Sequence, residues 1–179
     1  MKLDMIVNQP VIEAGRFVLR PVRKSDVGLL ELFAGDERVA RFTRSIPHPL
    51  PPGATEAFVV RSQQDNPDEY VWVMDGAAHG LSEVLGVVGL KPIGPDQSEI
   101  GYWVAPAYWN TGLASEAVTA ILAANPLRNS SIVAAVFQDN PGSARVLTNA
   151  GFDYIGAAEA FSIARKGMVD TWTYLKKLK

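Results

Sequence analysis

The stretch WNTGLASEA (residues 109–117) joins a strand-like run, EIGYWV, to a helix-like run, ASEAVTAILAA. The junction carries Gly112 beside the short Asn110 and Thr111, and it has no lysine or arginine. The first turn of a helix has four N–H groups without internal partners and a partial positive charge, so it can bind an anion such as phosphate. Alternatively, Asn110 or Thr111 caps the helix and Gly112 only eases the turn. A lone glycine before a helix is compatible with both interpretations.

Two common phosphate-binding motifs are excluded at this junction. No Lys-Ser or Lys-Thr pair follows Gly112, as a P-loop would require. The glycine triplet of a dinucleotide-binding fingerprint is also missing. An anion bound at this junction would therefore be held by backbone amides and not by the lysine of a P-loop.

Composition narrows the class of protein. The 179 residues suit a single domain, 1–179, whose core needs no covalent crosslinks. The absence of cysteine excludes thiolate chemistry, and two histidines are too few to suggest a metal site. The net charge of -2 argues against a nucleic-acid-binding surface. No run reaches the ~18 apolar residues of a membrane span, and no secretory signal is present, so we expect a cytoplasmic protein.

The order of apolar and polar runs predicts a mixed α/β (α+β) fold. SIVAAVFQ (131–138) is apolar on both faces, as in the interior of a parallel pair, and one helix links it to EIGYWV in a right-handed β-α-β crossover. In NPGSARVLTNAG, Asn140 is the expected N-cap and Pro141 the first helical residue. These patterns indicate six to seven strands and four helices. The predicted strands are 16–22, 69–75, 84–93, 98–104, 131–138, 152–165 and 169–178, and the predicted helices are 24–42, 54–64, 113–124 and 141–150.

Two segments carry a family resemblance. EIGYWVAPAYWNTGLASEAV and VFQDNPGSARVLTNAGF resemble the core of the GNAT acyl-CoA N-acyltransferases, in the branch of the RimJ/RimL protein N-acetyltransferases. The family's pyrophosphate loop, Arg/Gln-x-x-Gly-x-Gly/Ala, corresponds to residues 109–114, and Trp109 departs from its first position. The second family motif corresponds to Asn140, Ser143, Val146, Leu147, Gly151 and Phe152.

The resemblance implies the GNAT fold, a mixed central sheet with a β-α-β core whose strands splay apart to bind acetyl-CoA. Amides of the loop and helix start would bind the pyrophosphate, and the strand before them would run beside the pantetheine. An N–H near Val104 would polarise the thioester carbonyl. The implied cofactor-binding residues are Trp103, Val104, Ala105, Asn110, Thr111, Gly112, Leu113, Ala114, Ser115, Asn140 and Ser143.

Acyl transfer to an amine needs a neutral amine and proton transfer at the departing thiolate. Glu99 matches the place of a catalytic glutamate in some GNAT enzymes, and the alternative is a solvated carboxylate near the start of a strand. Thr148 stands where the family often has a tyrosine acid. The resemblance therefore implies Ser143 as the residue that protonates the sulfur, whereas its alternative role is to satisfy a backbone amide in the first turn of its helix.

Other residues near the family's functional positions are weaker candidates. Ser162 falls near a glutamate position of the branch, which leaves Glu159 as a second-choice base and Asp170 as a third, the latter also typical of a turn. The proline-rich segment SIPHPLPPG (45–53) forbids regular structure and should contribute to the acceptor pocket with the helix after it and the last two strands. His48, within it, is either a pocket residue or a structural one.

These patterns predict an N-acetyltransferase that moves acetyl from acetyl-CoA to a primary amine by direct attack in a ternary complex. A protein N-terminal amine is among the candidate acceptors, and the chain is expected to be a monomer or homodimer. The alternative is a catalytically degenerate module that binds or senses coenzyme A. Two features of the sequence favour this alternative, namely Thr148 in place of the family's tyrosine and Ser162 in place of its glutamate.

Overall fold

One mixed sheet organises residues 9–178, the part of the chain that the computed structural model describes. Its eight strands lie in the order β1-β2-β3-β4-β5-β6-β8-β7. The strands are β1 (Ile12–Ala14), β2 (Phe17–Pro21), β3 (Tyr70–Asp75), β4 (Gly86–Gly94), β5 (Gln97–Val104), β6 (Ser131–Phe137), β7 (Asp153–Ser162) and β8 (Gly167–Lys177). The helices are α1 (Val27–Ala34), α2 (Glu37–Ala40), α3 (Ala54–Ser62), α4 (Leu113–Ala124) and α5 (Pro141–Asn149).

The predicted mixed fold and its β-α-β core are confirmed, and the structure adds two short elements, β1 and α2. The predicted helix 24–42 is divided because Asp36 adopts an extended conformation and its side chain accepts a hydrogen bond from the Arg38 N–H at 2.9 Å. This cap starts a second helix. None of the helices in residues 9–178 has the length and hydrophobicity needed to cross a bilayer.

The separation of β5 from β6 gives the sheet its opening. These two strands run parallel and pair only from Gln97–Glu99 to residues 131–133. Beyond Glu99, β5 stays paired with β4, whereas β6 stays paired with β8 up to Phe137. Both strands are thus held from their outer sides while their inner edges diverge. The crossover helix α4 begins beside this opening, which confirms the predicted splay.

Apolar side chains pack on both faces of the sheet. On one face, α4 and α5 bury residues such as Ile121 and Leu147 against the central strands. On the other face, α1 and α3 bury Leu30 and Val59. Because strand side chains alternate between faces, consecutive residues of β5 belong to different cores. The face beneath α1 and α3 includes Val71, Val73, Val87 and Trp103.

A buried ion cluster joins the start of α1 to the sheet. The Arg20 guanidinium donates from Nε to Asp75 at 2.7 Å and from Nη1 and Nη2 to both carboxylate oxygens of Asp26, at 2.9 and 2.8 Å. Its side chain is only 3% exposed. Asp26 also accepts the Arg23 N–H at 2.7 Å. Asp26 directly precedes α1, but its side chain makes no capping hydrogen bond there and is instead an ion-pair partner of Arg20.

Candidate active site

A cavity of about 920 Å³ lies where β5 and β6 separate. Its lining combines the splayed halves of both strands with the start of α4, the first turn of α5 and the segment between α2 and α3. The first-choice catalytic residues Glu99 and Ser143 and all of the predicted cofactor-binding residues except Ala105 line it. The structure therefore brings together two segments that lie some thirty residues apart in the chain.

The first turn of α4 presents backbone amides to this cavity. Gly112 is the N-cap with φ of 85°, and no side chain makes a capping hydrogen bond. The Glu116 N–H bonds to the Gly112 carbonyl at 3.1 Å, whereas the N–H groups of residues 112–115 have no hydrogen-bond acceptor within the described chain. The interpretation in which Asn110 or Thr111 caps the helix is thus wrong, since the Thr111 hydroxyl donates to the Tyr108 carbonyl instead.

Arg16 supplies a cation at this junction that the local sequence does not contain. Its Nη2 donates to the Thr111 carbonyl at 2.6 Å and lies 3.3 Å from the place of a Cβ on Gly112. Its Nε also bonds both carboxylate oxygens of Glu116, at 3.0 and 3.1 Å. Glu116 is therefore neutralised by an ion pair and does not line the cavity. The start of α4 keeps a net attraction for an anion.

The backbone of β5 offers alternate amides to the opening. The Ala105 N–H donates to the Leu85 carbonyl at 2.8 Å, and the Ala105 carbonyl accepts from Tyr108. Ala105 is also fully buried, and its predicted hydrogen bond to a ligand stays a prediction. The backbone N–H and C=O groups of successive strand residues point to opposite sides of the strand. Those of Trp103 therefore point toward Val87 of β4, whereas those of Val104 point toward the opening.

Val104 is anchored by the aromatic residue that departs from the family loop pattern. The Trp109 indole N–H donates to the Val104 carbonyl at 2.6 Å. This bond ties the loop before α4 to the end of β5 and leaves the Val104 N–H directed into the opening. An amide in this orientation can donate to a developing oxyanion. Trp109 thus positions the end of β5 relative to the loop before α4.

Ser143 lies at the start of α5 in contact with a tyrosine that the sequence did not single out. The Asn140 side chain caps α5 by accepting the Ser143 N–H at 3.3 Å, as predicted. The hydroxyl oxygens of Ser143 and Tyr102 are 2.8 Å apart, and the Tyr102 hydroxyl also donates to the Ser143 carbonyl at 3.1 Å. Burial raises the pKa of Tyr102 to about 12, although the hydrogen bond to Ser143 lowers it. This phenol therefore remains protonated at neutral pH.

Thr148, the residue in place of the family's common tyrosine, is exposed and does not line the cavity. Its hydroxyl donates to the Arg145 carbonyl of its own helix at 3.1 Å. The tyrosine hydroxyl that does reach Ser143 comes from β5. The alternation of side chains along β5 predicts that Tyr102 and Glu99 point to opposite faces of the sheet. No pattern in the sequence, however, places Tyr102 beside Ser143.

The carboxylates predicted as bases differ in their placement. Glu99 lines the cavity and forms an ion pair with Arg44, from the segment before α3. Glu159 and Asp170 face each other across β7 and β8, are exposed and do not line the cavity. Ser162 is buried and accepts the Arg165 N–H. Of these carboxylates, Glu99 is the one that the fold brings to the opening.

Glu69 is a second carboxylate at the cavity, and no pattern in the sequence singles it out. It immediately precedes β3 and lines the cavity beside Glu99. Burial raises its pKa, with the nearby charge of Glu99 acting in the same direction, while Lys91, Arg44 and Arg61 oppose the rise. Only the strand register, which the sequence does not reveal, brings Glu69 and Glu99 to the same face.

Arg165 fixes the segment between α2 and α3 over the cavity. Its Nε donates to the Arg41 carbonyl at 2.7 Å, and its two terminal nitrogens bond both carboxylate oxygens of Asp139 at 2.8 and 3.0 Å. The guanidinium lies 5.4 Å from the Phe42 ring centroid and 5.0 Å from that of Phe137. The hairpin of β7 and β8 thus contributes to the site through Arg165, whereas sequence patterns had suggested carboxylates there.

His48 does not line the cavity, and its Nδ1 is buried without a hydrogen-bond partner in the described part of the chain. Residues 9–178 contain no group of three or more histidine, aspartate or glutamate side chains arranged to hold a metal ion. Backbone amides, hydroxyls, carboxylates and guanidinium groups line the cavity.

Comparison with known families identifies this arrangement. The sequence model of the acetyltransferase (GNAT) domain matches residues 16–153, from the turn before β2 to the first residue of β7. The chain belongs to the GNAT acetyltransferase family. Membership agrees with the splayed β-α-β core, the predicted pyrophosphate loop and the motif at Asn140 and Ser143. It makes the chain an acyltransferase of the N-acetyltransferase class, as predicted.

Individual GNAT proteins are similar over nearly the whole chain. The uncharacterized N-acetyltransferase YoaA of Bacillus subtilis is 26% identical over 175 residues, which cover 92% of this chain and 95% of YoaA. A GNAT acetyltransferase from Bacillus anthracis has a TM-score of 0.76 and 22% identity, covering 94% of this chain and 99% of that one. Mycobacterium smegmatis RimJ, solved in complex with CoA-disulfide, has a TM-score of 0.80 and 18% identity, covering 94% and 88%. The predicted RimJ/RimL-like fold is confirmed.

Proposed function

We propose that this GNAT protein transfers the acetyl group of acetyl-CoA to a primary amine by direct attack within a ternary complex. The observation that carries the proposal is the row of unpaired amides at residues 112–115, which face a cavity between two splayed strands. Such amides at a helix N-terminus bind phosphate groups. A GNAT relative of the same fold, RimJ, was solved with a coenzyme A derivative.

Each part of the cavity has a proposed role toward the co-substrate. The amides of Gly112, Leu113, Ala114 and Ser115 bind the pyrophosphate, and Arg16 adds positive charge beside them. The pantetheine lies between β5 and β6, where Val104 directs its N–H at the thioester carbonyl. The remaining contacts come from the side chains that line this path, namely Trp103, Asn110, Thr111, Asn140 and Ser143.

The proposed reaction forms a C–N bond and breaks a C–S bond. A carboxylate accepts one proton from the acceptor ammonium, which frees the lone pair that attacks the thioester carbonyl carbon. The Val104 N–H donates to the oxyanion that develops. The Ser143 hydroxyl donates to the departing sulfur and takes up the second proton that the amine nitrogen loses. The Tyr102 hydroxyl lies 2.8 Å from the Ser143 hydroxyl oxygen and supports it by turning from the Ser143 carbonyl to donate to that oxygen. Glu99 is the carboxylate proposed from the sequence. Its ion pair with Arg44 must open before Glu99 can accept the proton.

The acceptor in this proposal is a primary amine, with a protein N-terminus included, and the protein acts as a single 1–179 domain, monomeric or homodimeric, in the cytoplasm. The cavity lining carries the guanidinium groups of Arg38, Arg44, Arg61 and Arg145 against the carboxylates of Glu69 and Glu99. This excess of positive charge disfavours an acceptor with several ammonium groups.

Titration calorimetry with acetyl-CoA tests the proposal, paired with an assay of thiol release over a panel of primary amines. We expect saturable binding of acetyl-CoA and amine-dependent release of free thiol. Absence of binding at millimolar acetyl-CoA would contradict the proposed co-substrate. Binding without thiol release for any amine would instead support a degenerate coenzyme A-binding module.

Replacing Ser143 with alanine is expected to lower kcat by about 100-fold, within the usual range for loss of a proton-transfer group. Tyr102→Phe removes the hydroxyl that lies 2.8 Å from Ser143 and should lower kcat by about tenfold, since Ser143 can still donate. Because the two hydroxyls act as a unit, the double variant should be no slower than Ser143→Ala. Steady-state thiol release measures all three.

A matched control for this prediction is Tyr154→Phe, because Tyr154 is 55% exposed and packs edge to face on Tyr174 away from the cavity. Its kcat should equal that of the unmodified protein. Multiplicative effects of Ser143→Ala and Tyr102→Phe would show that the hydroxyls act independently and would contradict the proposed pair.

A further inference from the structure

Two glycines leave a bare depression in the sheet beneath α1 and α3. Gly89 of β4 pairs directly with Gly101 of β5, and both line the cavity. A Cβ built on Gly101 would meet no atom within 4 Å, so the space above it is open. Because paired residues of neighbouring strands point to the same face, the two glycines form one hollow, which is open over Gly101 and bounded over Gly89 by Glu69.

The Glu69 carboxylate lies at the edge of this hollow. A Cβ on Gly89 would lie 2.8 Å from Glu69 Oε2 and 2.9 Å from its carboxyl carbon. The absence of a side chain at Gly89 therefore makes room for the carboxylate over the sheet. Gly101 lies one strand away and directly precedes Tyr102. The backbone amide of Tyr102 is not bonded to β4 and therefore faces the opening. Glu69 and the open space over Gly101 therefore lie side by side on one face of the sheet.

Glu69 is also the carboxylate that is free to act. It has no hydrogen-bond partner among residues 9–178, whereas Glu99 is engaged by Arg44. The charged groups that face Glu69 are Lys91 of β4, Glu99 of β5, Arg44 of the segment before α3 and Arg61 of α3. Burial, the largest influence, raises the pKa of Glu69 above its ordinary value, as a base that works near neutral pH requires.

The walls of the hollow indicate the kind of acceptor that fits. Apolar side chains surround it on the face shared with α1 and α3, and they are Leu30, Phe58, Val71, Val87 and Trp103. One free carboxylate can receive one ammonium group, and the guanidinium groups of the lining repel further positive charge. The hollow therefore suits an amine with a single charge on an apolar body.

We propose that the hollow over Gly89 and Gly101 is the acceptor subsite, that it binds a primary monoamine with an apolar body, and that Glu69 is its catalytic base. This inference rests on the proposed function and specifies its acceptor side. Glu69 removes one proton from the ammonium, directly or through a water, and passes it to solvent. The amine nitrogen then bonds to the acyl carbon as the C–S bond breaks, and the second proton of the nitrogen ends on the sulfur.

The first experiment measures thiol release from acetyl-CoA with 2-phenylethylamine, a monoamine with an apolar body, and with spermidine. The wild-type kcat/KM should be at least about tenfold higher for 2-phenylethylamine and should fall on the acidic side as Glu69 becomes protonated. Glu69→Gln should lower kcat/KM by about 100-fold and abolish that acidic limb, while the Kd for acetyl-CoA stays within about twofold. Glu31→Gln, on the exposed side of α1, is the matched control and should change neither.

The second experiment fills the hollow. Gly101→Val should raise the KM for 2-phenylethylamine by at least about tenfold without altering the Kd for acetyl-CoA, because its side chain occupies the space of the acceptor and not that of the co-substrate. Gly101→Ala, whose added Cβ meets nothing, provides a smaller step if the valine variant does not fold. Unchanged KM in both variants would overturn the subsite.

The remaining outcomes separate this inference from the proposed function. Loss of acetyl-CoA binding in the wild-type protein would overturn the proposed function itself. Intact acetyl-CoA binding with no turnover of 2-phenylethylamine, or with preference for spermidine, would overturn the acceptor class alone. A Glu69→Gln variant that retains the acidic limb, together with a Glu99→Gln variant that loses it, would assign the base to Glu99.

Discussion

Arg20→Ala is expected to lower the free energy of unfolding by about 3 to 5 kcal/mol, because it leaves two buried carboxylates without their shared cation. Asp26 and Asp75 are 1% and 12% exposed in their side chains, and neither has another side-chain cation within ion-pair distance in the described chain. Urea unfolding followed by tryptophan fluorescence measures the loss. Trp72, which is fully buried on β3, reports on the same part of the sheet.

The pH dependence of this loss follows from Asp75. Burial alone raises the pKa of Asp75, but hydrogen bonds from Arg20 and the Ala77 N–H, with the charges of Arg20 and Arg23, hold it below its usual value. A lowered carboxyl pKa contributes stability that is present above the unfolded pKa and is lost as the pH falls through the folded one. The deficit of Arg20→Ala should therefore be larger at pH 7 than at pH 3.

Arg38→Ala is the matched control for the buried cluster. Arg38 bonds Asp36 at 2.8 Å, but its side chain is 66% exposed, so water screens the pair. Its removal should leave the free energy of unfolding nearly unchanged, because exposed ion pairs contribute little to stability. Equal losses for Arg20→Ala and Arg38→Ala would contradict the conclusion that burial makes the Arg20 cluster important for stability.

Gly112→Val is expected to raise the Kd for acetyl-CoA by about 10-fold to 100-fold, since left-handed backbone at a β-branched residue costs roughly 1 to 3 kcal/mol. Relief of this strain moves the amides that are proposed to bind the pyrophosphate. The new side chain would also lie 3.3 Å from Arg16 Nη2, where it would disturb the cation beside the loop. Titration calorimetry measures the change.

Gly53→Val separates strain from ligand binding. Gly53 is likewise a helix N-cap in the left-handed region, with φ of 81°, and no side chain caps its helix. It does not line the cavity. Both valine variants should lose similar thermal stability, whereas only Gly112→Val should lose affinity for acetyl-CoA. Equal affinities in the two variants would contradict the assignment of the pyrophosphate to α4.

The sequence by itself determined most of the elements, although not β1 or the break before α2, and it indicated the cofactor half of the candidate site. Apolar periodicity, Asn140 with Pro141, and Gly112 act over a few neighbouring residues, so their consequences can be predicted locally. Even the ambiguity at residues 109–117 had only two outcomes. The structure decided between them because the Thr111 hydroxyl bonds the Tyr108 carbonyl and leaves the helix amides unpaired.

Only the tertiary structure decided which side chains could do the chemistry. The register of β3, β4 and β5 places Glu69 over Gly89 and beside Glu99, and the crossover through α4 places Ser143 against Tyr102. Glu159, close to the family position in the chain, lies on β7 outside the cavity. Sequence spacing specifies which residues share a helix or a strand, but contacts between distant segments depend on strand register and packing. The hydroxyl pair and the free carboxylate are contacts of that second kind.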